Sequence, residues 1–414
     1  MQIVADIGGT PGKDCDGFCK YCYFRKVKDM KTFGCSNCLP GKIGCERCTK
    51  GVSEQQGEFK TPFEVITDVQ NTLMMSPRDH SKANITGGGD VSCYPYLEDL
   101  TSGLNQMSLP IHLGYTSGKG IKDSSMPHKL INNGVDEVTF TIFANDINLR
   151  KEWIKDSNPA ESLKSCKIFA ENTELHAASV IIPGVNDGDI LRNTCESLES
   201  WGAKALILMR FANTFNEGLI LGNEPILKDY ESQSVSNFEQ LVKRTNSEFN
   251  LRVTGTPVCD PETGAPFAIS KKENEVFLQF IPKITGEATI ISSKIASPYL
   301  SKIFNKIDGD NVNIVPVDKE IACLITKEDL EQVDLSDVKE SVILPGRSFV
   351  HQIDAEEILS SDGIERIVGR GPDTLSIDGE LSGTLTDENV IEKELEQFNQ
   401  LVEAINFFGM KKIV

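Results

Sequence analysis

Residues Asp14 to Cys48 read DCDGFCKYCYFRKVKDMKTFGCSNCLPGKIGCERC and hold seven of the twelve cysteines in the chain. These seven fall into two groups. Cys15, Cys19 and Cys22 are spaced C-x3-C-x2-C, and Cys35, Cys38, Cys45 and Cys48 are spaced C-x2-C-x6-C-x2-C. Soft thiolate ligands select iron–sulfur clusters or zinc. Three thiolates can hold three corners of a cubane cluster and leave the fourth iron open, much as a catalytic zinc site keeps one open position. Four thiolates in paired knuckles make a closed tetrahedral site. Its natural occupants are a mononuclear iron or zinc, with a second cubane as the alternative.

Outward from that stretch, the composition sets bounds. A chain of 414 residues predicts two or more domains, and an apolar fraction of 39% suffices for sizeable cores. No apolar run reaches about 18 residues, so no membrane partner is expected. The N-terminus shows neither a basic n-region nor an apolar h-region, so no signal peptide is expected. Cysteines in metal spacings argue for a reducing compartment, and the cytoplasm is the expected location. A net charge of −19 disfavours contact with a phosphate backbone, so no nucleic-acid partner is expected.

Strand and helix patterns alternate through the first half. Met1 to Asp6 reads as a strand. Thr61 to Met75 has helical apolar spacing, with Thr61 as N-cap before Pro62. Lys82 to Ile85 is a short strand running into Thr86-Gly87-Gly88-Gly89-Asp90. Pro110 to Tyr115 is a third strand, ending in Thr116-Ser117-Gly118-Lys119-Gly120. Val135 to Phe143 is a fourth, Glu174 to Ile182 a fifth and Lys204 to Arg210 a sixth. Asn148 to Ser157 reads as a charged helix, Gly188 to Trp201 and Tyr230 to Glu248 as further helices, and Leu251 to Pro257 as the start of another strand. Such alternation predicts a parallel sheet covered by helices. A charged run near residue 270 divides residues 1–268 from residues 269–414. The second part has its own α/β pattern, with strands at Ala288 to Ser292, Asn313 to Pro316, Ala322 to Ile325 and Val342 to Pro345. Its helices are Pro298 to Ile307 and Glu392 to Phe408.

The C-x3-C-x2-C spacing just after the apolar segment Met1 to Ile7 resembles the signature of radical S-adenosylmethionine (SAM) enzymes. Gly17, Phe18, Tyr21 and Tyr23 fit the same pattern. The resemblance implies a 4Fe-4S cluster on Cys15, Cys19 and Cys22, with SAM on the open iron. An electron from an external donor would cleave SAM to a deoxyadenosyl radical. Gly87, Gly88, Gly89 and Asp90 resemble the family's Gly-Gly-Glu motif, which holds the SAM amino group, with Asp90 in the acidic place. Hydroxyls and backbone donors at the end of the third strand suit SAM, which assigns it Tyr115, Thr116 and Ser117, and Asn145 joins them because it lies just past the fourth strand, where this fold places catalytic side chains. Tyr23 would pack near the adenine or reach the open iron when SAM is absent. The turn Pro183-Gly184-Val185-Asn186-Asp187 matches a recurring family turn. The fold implied is α/β, a partial (β/α)6 barrel over residues 1 to about 230, with the site at the strand carboxyl ends.

The order of parts is narrower still. A barrel, a four-cysteine loop directly after the cluster motif, and a C-terminal α/β domain together resemble the methanogenesis marker 10 family. These are the methyl-coenzyme M reductase arginine methyltransferases of methanogenic archaea. The resemblance implies a cobalamin-dependent C-methyltransferase acting on the δ-carbon of an arginine in the reductase α-subunit, with one iron in the four-cysteine loop. An aliphatic C–H has no acidic proton for a general base to take, so radical chemistry fits the demand. The usual cobalamin motif, Asp-x-His-x-x-Gly, is absent: His80, His112, His128, His176 and His351 all lie outside it. Strand-end logic assigns the corrin face to Cys323, Leu324 and Gly346. Trp153 and Asp156 are assigned to substrate, and Asp146 and Asp187 join Asp156 as carboxylates able to hold a guanidinium. The alternative from another class is a radical SAM oxidoreductase or peptide-maturation enzyme with auxiliary clusters, although Cys259 and Cys323 are isolated. A non-enzymatic alternative is a metal-binding assembly scaffold. Cys93, Cys166 and Cys195 read as small buried hydrophobes.

Overall fold

Alternation of buried and open positions builds the first sheet. In β1 (Gln2–Asp6) Ile3 and Ala5 are buried while Val4 is 54% exposed, as a strand with one packed face requires. The structure, a computed structural model, describes residues 2–26, 58–75, 82–219, 225–257, 260–308, 311–346, 348–372 and 386–409. The Cys35, Cys38, Cys45 and Cys48 knuckles and Cys259 lie outside the described residues.

Helix α1 (Pro62–Met75) follows β1 and buries Val65 and Val69 on it. Its start is a capping box: the Glu64 carboxylate accepts from the Thr61 backbone N–H and hydroxyl, both at 2.7 Å, and the Thr61 hydroxyl accepts from the Glu64 N–H at 3.3 Å. The next units are β2 (Lys82–Thr86), α2 (Leu97–Asn105), β3 (Ile111–Thr116), α3 (Ser125–Asn132) and β4 (Val135–Thr141). Then come α4 (Pro159–Asn172), β5 (Glu174–Ile181), α5 (Gly188–Trp201), β6 (Ala205–Arg210), α6 (Val235–Glu248) and β7 (Arg252–Thr256). The strands pair in parallel in the order β1 to β7. The sheet therefore has seven strands, against the expected six. The extra one is β7, which pairs with β6 from Ala205↔Arg252 to Met209↔Thr256.

Two local expectations are corrected. Asn148 to Ser157 is not one helix. A short turn, Ile147–Leu149, runs into a π-helical turn, Arg150–Ile154, that ends at left-handed Lys155 (φ 58°). A wide turn of this kind turns the backbone carbonyls of Trp153 and Ile154 toward the cysteine loop. Ala322 to Ile325 is not a strand either; Ala322–Leu324 is a 3-10 turn. The preceding strand has already ended, and Ala322 and Ile325 drop into the core.

The second part starts its own core at Ala265, Phe267, Ala268 and Ile269. Strands β8 (Ala288–Ser293), β9 (Val312–Val317), β10 (Ser341–Leu344) and β11 (Ile367–Arg370) form a parallel sheet in the order β11-β10-β8-β9. Helix α7 (Ser297–Asp308) follows β8, α8 (Gln352–Leu359) precedes β11, and α9 (Asp387–Phe408) closes the domain. Buried Glu394 on α9 accepts from the backbone N–H groups of Ala268 and Ile269 at 2.9 Å each. That bond ties the last helix to the first turn of its domain. Among the described residues no helix is long and apolar enough to cross a membrane.

Candidate functional site

The chain leaving β1 passes directly across the end of β2. Ile7 N–H donates to Thr86 O at 2.8 Å, and Gly88 N–H donates to Gly8 O at 3.0 Å. A Cβ on Gly87 would stand 2.4 Å from Gly8 O, and one on Gly89 would stand 2.7 Å from Asp14 O. The triple glycine thus lets two loops touch backbone to backbone. Asp90 has its carboxylate turned inward. It accepts from Ser92 N–H at 2.9 Å, the Ser92 hydroxyl at 2.6 Å and Ser117 N–H at 3.1 Å, and it also takes the Ser117 hydroxyl. Those bonds tie the end of β2 to the end of β3.

The loop carrying Cys15, Cys19 and Cys22 lies over these strand ends. The backbone N–H groups of Gly12, at 3.3 Å, and of Asp90 point at the Cys15 sulfur, and those of Phe24 and Arg25 point at the Cys22 sulfur. The π-helical turn holds the other side. Lys20 N–H donates to Trp153 O at 2.7 Å, and the Cys19 thiol donates to Ile154 O at 3.7 Å. Lys119, at the end of β3, is 7% exposed. Its ammonium donates to Gly17 O at 2.9 Å and to Ile154 O at 3.2 Å. Burial pushes the Cys19 thiol up to about 12 and the Cys22 thiol up to about 11, and raises Cys15 as well. As bare thiols they are therefore neutral at pH 7. A cation bound to sulfur, together with the N–H donors, would supply what the thiolate form lacks. In chemistry the donor set fits an iron–sulfur cluster: soft sulfurs on one loop, already aimed at by backbone N–H groups. In position the three sulfurs are not closed on a common centre, and among the described residues no three His, Cys, Asp or Glu side chains stand at metal-holding spacing.

The remaining predicted residues sort clearly. Thr116 is buried with its hydroxyl oxygen unpaired, Ser117 is spent on Asp90, and Tyr115, just before them on β3, is half-buried. Tyr23 is partly exposed, and the backbone N–H of Ala212 points at its hydroxyl. Asn145 turns away from the loop: its amide donates to Ser197 on α5 at 2.5 Å, and its N–H goes to Thr194 at 3.0 Å. Asn186 of the IPGVND turn locks β5, donating to Phe143 O at 3.0 Å and Val180 O at 2.8 Å while accepting from Ile182 N–H at 2.8 Å.

Both residues assigned to substrate are buried in the structure. Trp153 is 4% exposed and stacks on Phe143, with Tyr230 edge-on, beneath the Tyr21 ring. Asp156 is 1% exposed and already holds a guanidinium, that of Arg150, at 2.8 and 3.0 Å. Asp146 and Asp187 cap local turns through Leu149 N–H at 2.8 Å and Gly184 N–H at 2.9 Å.

Two features escaped the sequence reading. Arg150 is fully buried and also donates to Ile142 O at 2.7 Å and Ser117 O at 2.6 Å, joining β3 to β4. At the opposite end of the strands, Glu137 receives Lys82 at 2.8 Å and faces His112 and His176 at 3.6 and 3.7 Å. The signal for it was a charged residue at a sheet-facing position of β4, flanked by a histidine on each neighbouring strand. That end of a parallel α/β sheet serves stability.

In the second domain Gly346 follows β10 at the point where strand order reverses between β8 and β10, the crevice where open α/β sheets bind ligands. Cys323 and Leu324 follow β9, and Leu324 packs on Gly218 of the first domain, where a Cβ would meet its Cδ1 at 2.7 Å. The three therefore follow two different strands, on either side of β8.

No protein-family model matches the chain, and no curated protein matches it in sequence. Solved structures that superpose on it include SuiB from Streptococcus suis, at 12% identity, covering 61% of this chain and 48% of that one with a TM-score of 0.40. The radical SAM methyltransferase TsrM from Kitasatospora setae superposes at 13% identity over 40% of this chain and 34% of that one, TM-score 0.31. Methylornithine synthase (PylB) does so at 12% identity over 88% and 84%, TM-score 0.35. The chain spans about half the length of SuiB.

Proposed function

We propose that this chain is a cobalamin-dependent radical SAM methyltransferase that C-methylates the δ-carbon of an arginine in the methyl-coenzyme M reductase α-subunit. The observation that carries the radical SAM part is the placement of the C-x3-C-x2-C loop. It sits on the carboxyl ends of a parallel sheet, against a triple glycine, with N–H donors on its sulfurs. Methyl transfer to arginine rests on the family resemblance of the whole arrangement.

In this reading Cys15, Cys19 and Cys22 hold a 4Fe-4S cluster. With SAM, that cluster supplies a radical strong enough to take hydrogen from an unactivated C–H. The chain's own work is positional. Gly87 and Gly89 let the loops close, Lys119 holds the turn between Cys15 and Cys19, and Thr116 ends β3 with its buried hydroxyl unpaired. Cys35, Cys38, Cys45 and Cys48 would hold one iron, or zinc. Cobalamin would use the crevice at Gly346. Burying the stacked aromatics behind the loop keeps water from that side.

The test is anaerobic reconstitution with iron, sulfide and cobalamin. SAM, a one-electron reductant and a synthetic arginine-containing segment of the reductase α-subunit follow. The expected products are deoxyadenosine and a peptide heavier by one methylene at arginine. Deoxyadenosine without peptide methylation would keep the radical chemistry and remove the methyltransferase. Neither product from cluster-loaded protein would remove both.

A further inference from the structure

The Lys119 ammonium is buried, and its two hydrogen bonds go to carbonyls, Gly17 O and Ile154 O. Neither Asp156 nor Asp90 forms an ion pair with Lys119. Asp156 pairs with Arg150, and Asp90 is committed to Ser92 and Ser117. Among the described residues no carboxylate ion-pairs with Lys119. Burying an ammonium without an ion-pair partner is expensive, so a negative centre beside it would be stabilised. The Cys15–Cys22 loop lies beside it, because Ile154 O takes both the Lys119 ammonium and the Cys19 thiol.

We infer that Lys119 is a positioning residue for the cysteine centre. It fixes the loop between Cys15 and Cys19, and its charge favours the more negative, reduced state of the cluster held there. This rests on reading the triad as a cluster site. The shared carbonyl keeps the ammonium within about 7 Å of the Cys19 sulfur, and one charge at that range, at an effective dielectric of about 20, shifts an equilibrium by more than tenfold. Reduction adds one negative charge to the cluster. Removing Lys119's positive charge therefore lowers the reduced fraction at a fixed potential and moves the midpoint downward. The third N–H of the ammonium is the donor that such an anion would take.

The experiment compares reconstituted wild type, Lys119→Arg, Lys119→Gln and Lys119→Met. Iron and sulfide content, the electron paramagnetic resonance spectrum of the reduced protein and its midpoint potential are read from each. K119Q keeps N–H donors for the two carbonyls without the charge, so it separates electrostatics from loop holding; K119M removes both. The expected result is cluster loading in K119Q with a midpoint lower by at least tenfold in the reduced-to-oxidised ratio, about 59 mV for a one-electron couple. K119R should keep the wild-type value. A cluster in K119Q or K119M with the wild-type midpoint and g-values would overturn the inference while leaving the cluster reading intact. Wild-type protein that takes up no iron and sulfide would overturn the cluster reading, and the inference with it.

Discussion

Replacing Asp156 with alanine separates two roles that a lone carboxylate near a strand end can have. In the structure Asp156 is the counter-ion of fully buried Arg150. Breaking a buried pair by removing one partner costs about 3–5 kcal/mol, because the other charge is left uncompensated. Arg150 would retain the carbonyls of Thr141, Ile142 and Ser117, which pulls the cost toward the lower end. Asp156 also accepts from Asn158 N–H at 3.0 Å, and orphaning that donor adds roughly 1 kcal/mol. The expected loss is therefore about 4 kcal/mol, or a urea midpoint lower by roughly 1 M for a domain of this size. Trp153 lies three residues away inside the aromatic core, and the chain has two tryptophans. Trp153 fluorescence in a Trp201→Phe background thus reports the transition locally. Removing both charges in Arg150→Met/Asp156→Leu should recover part of the loss, but not all, since three carbonyls lose their donor. A D156A midpoint within about 0.2 M of the parent, equivalent to less than about 1 kcal/mol, would refute the structural role and leave Asp156 a substrate candidate.

Burial holds the His112 imidazole down at about 4, below the ordinary range near 6.5 of the unfolded chain. The unfolded state takes up the proton first, so stability is full above pH 6.5 and falls as pH drops toward 4, by up to roughly 3 kcal/mol. His112→Gln, which keeps a donor near Thr139, should flatten urea midpoints across that window; an unchanged slope would assign the acid sensitivity elsewhere. Gly87→Ala places a methyl 2.4 Å from Gly8 O and 2.7 Å from Ile7 Cγ1. Because the obstacle is largely backbone, the loops must part at a cost of about 1–3 kcal/mol, and iron uptake by the Cys15 group should fall with it. Full uptake at wild-type stability would show that close loop contact is unnecessary.

The sheet was legible because period-2 burial and the turns between strands are local signals. All six expected strands occur, and the seventh was visible at Leu251 but not counted into the sheet. What stayed hidden depends on which strand ends meet. Nothing in the sequence says that Arg150 and Asp156 close on each other through a π-helical turn, so the aspartate read as free. Asn145 read as facing the site because it follows β4, yet its amide turns outward to Ser197 on α5. The glycines at 87 and 89 were legible as a close-approach signal, and the structure identifies the approaching group as another loop of the same chain.

Arg210, the last residue of β6, is 7% exposed and reaches Glu320 of the second domain and Glu217 of the following loop. Fully buried Lys319 donates to Phe215 O at 2.8 Å and sits 3.3 Å above the Phe215 ring. Tyr23, one residue past Cys22, bonds the backbone of Ala212 in that same stretch. The loop between Phe211 and Leu219 is therefore gripped from one side by the residue next to the cysteine centre and from the other by the end of β9. Charges buried on both sides make the contact costly to slide, since each would have to be desolvated without its partner. The carboxyl end of β9 is thus kept in a fixed relation to the cysteine loop.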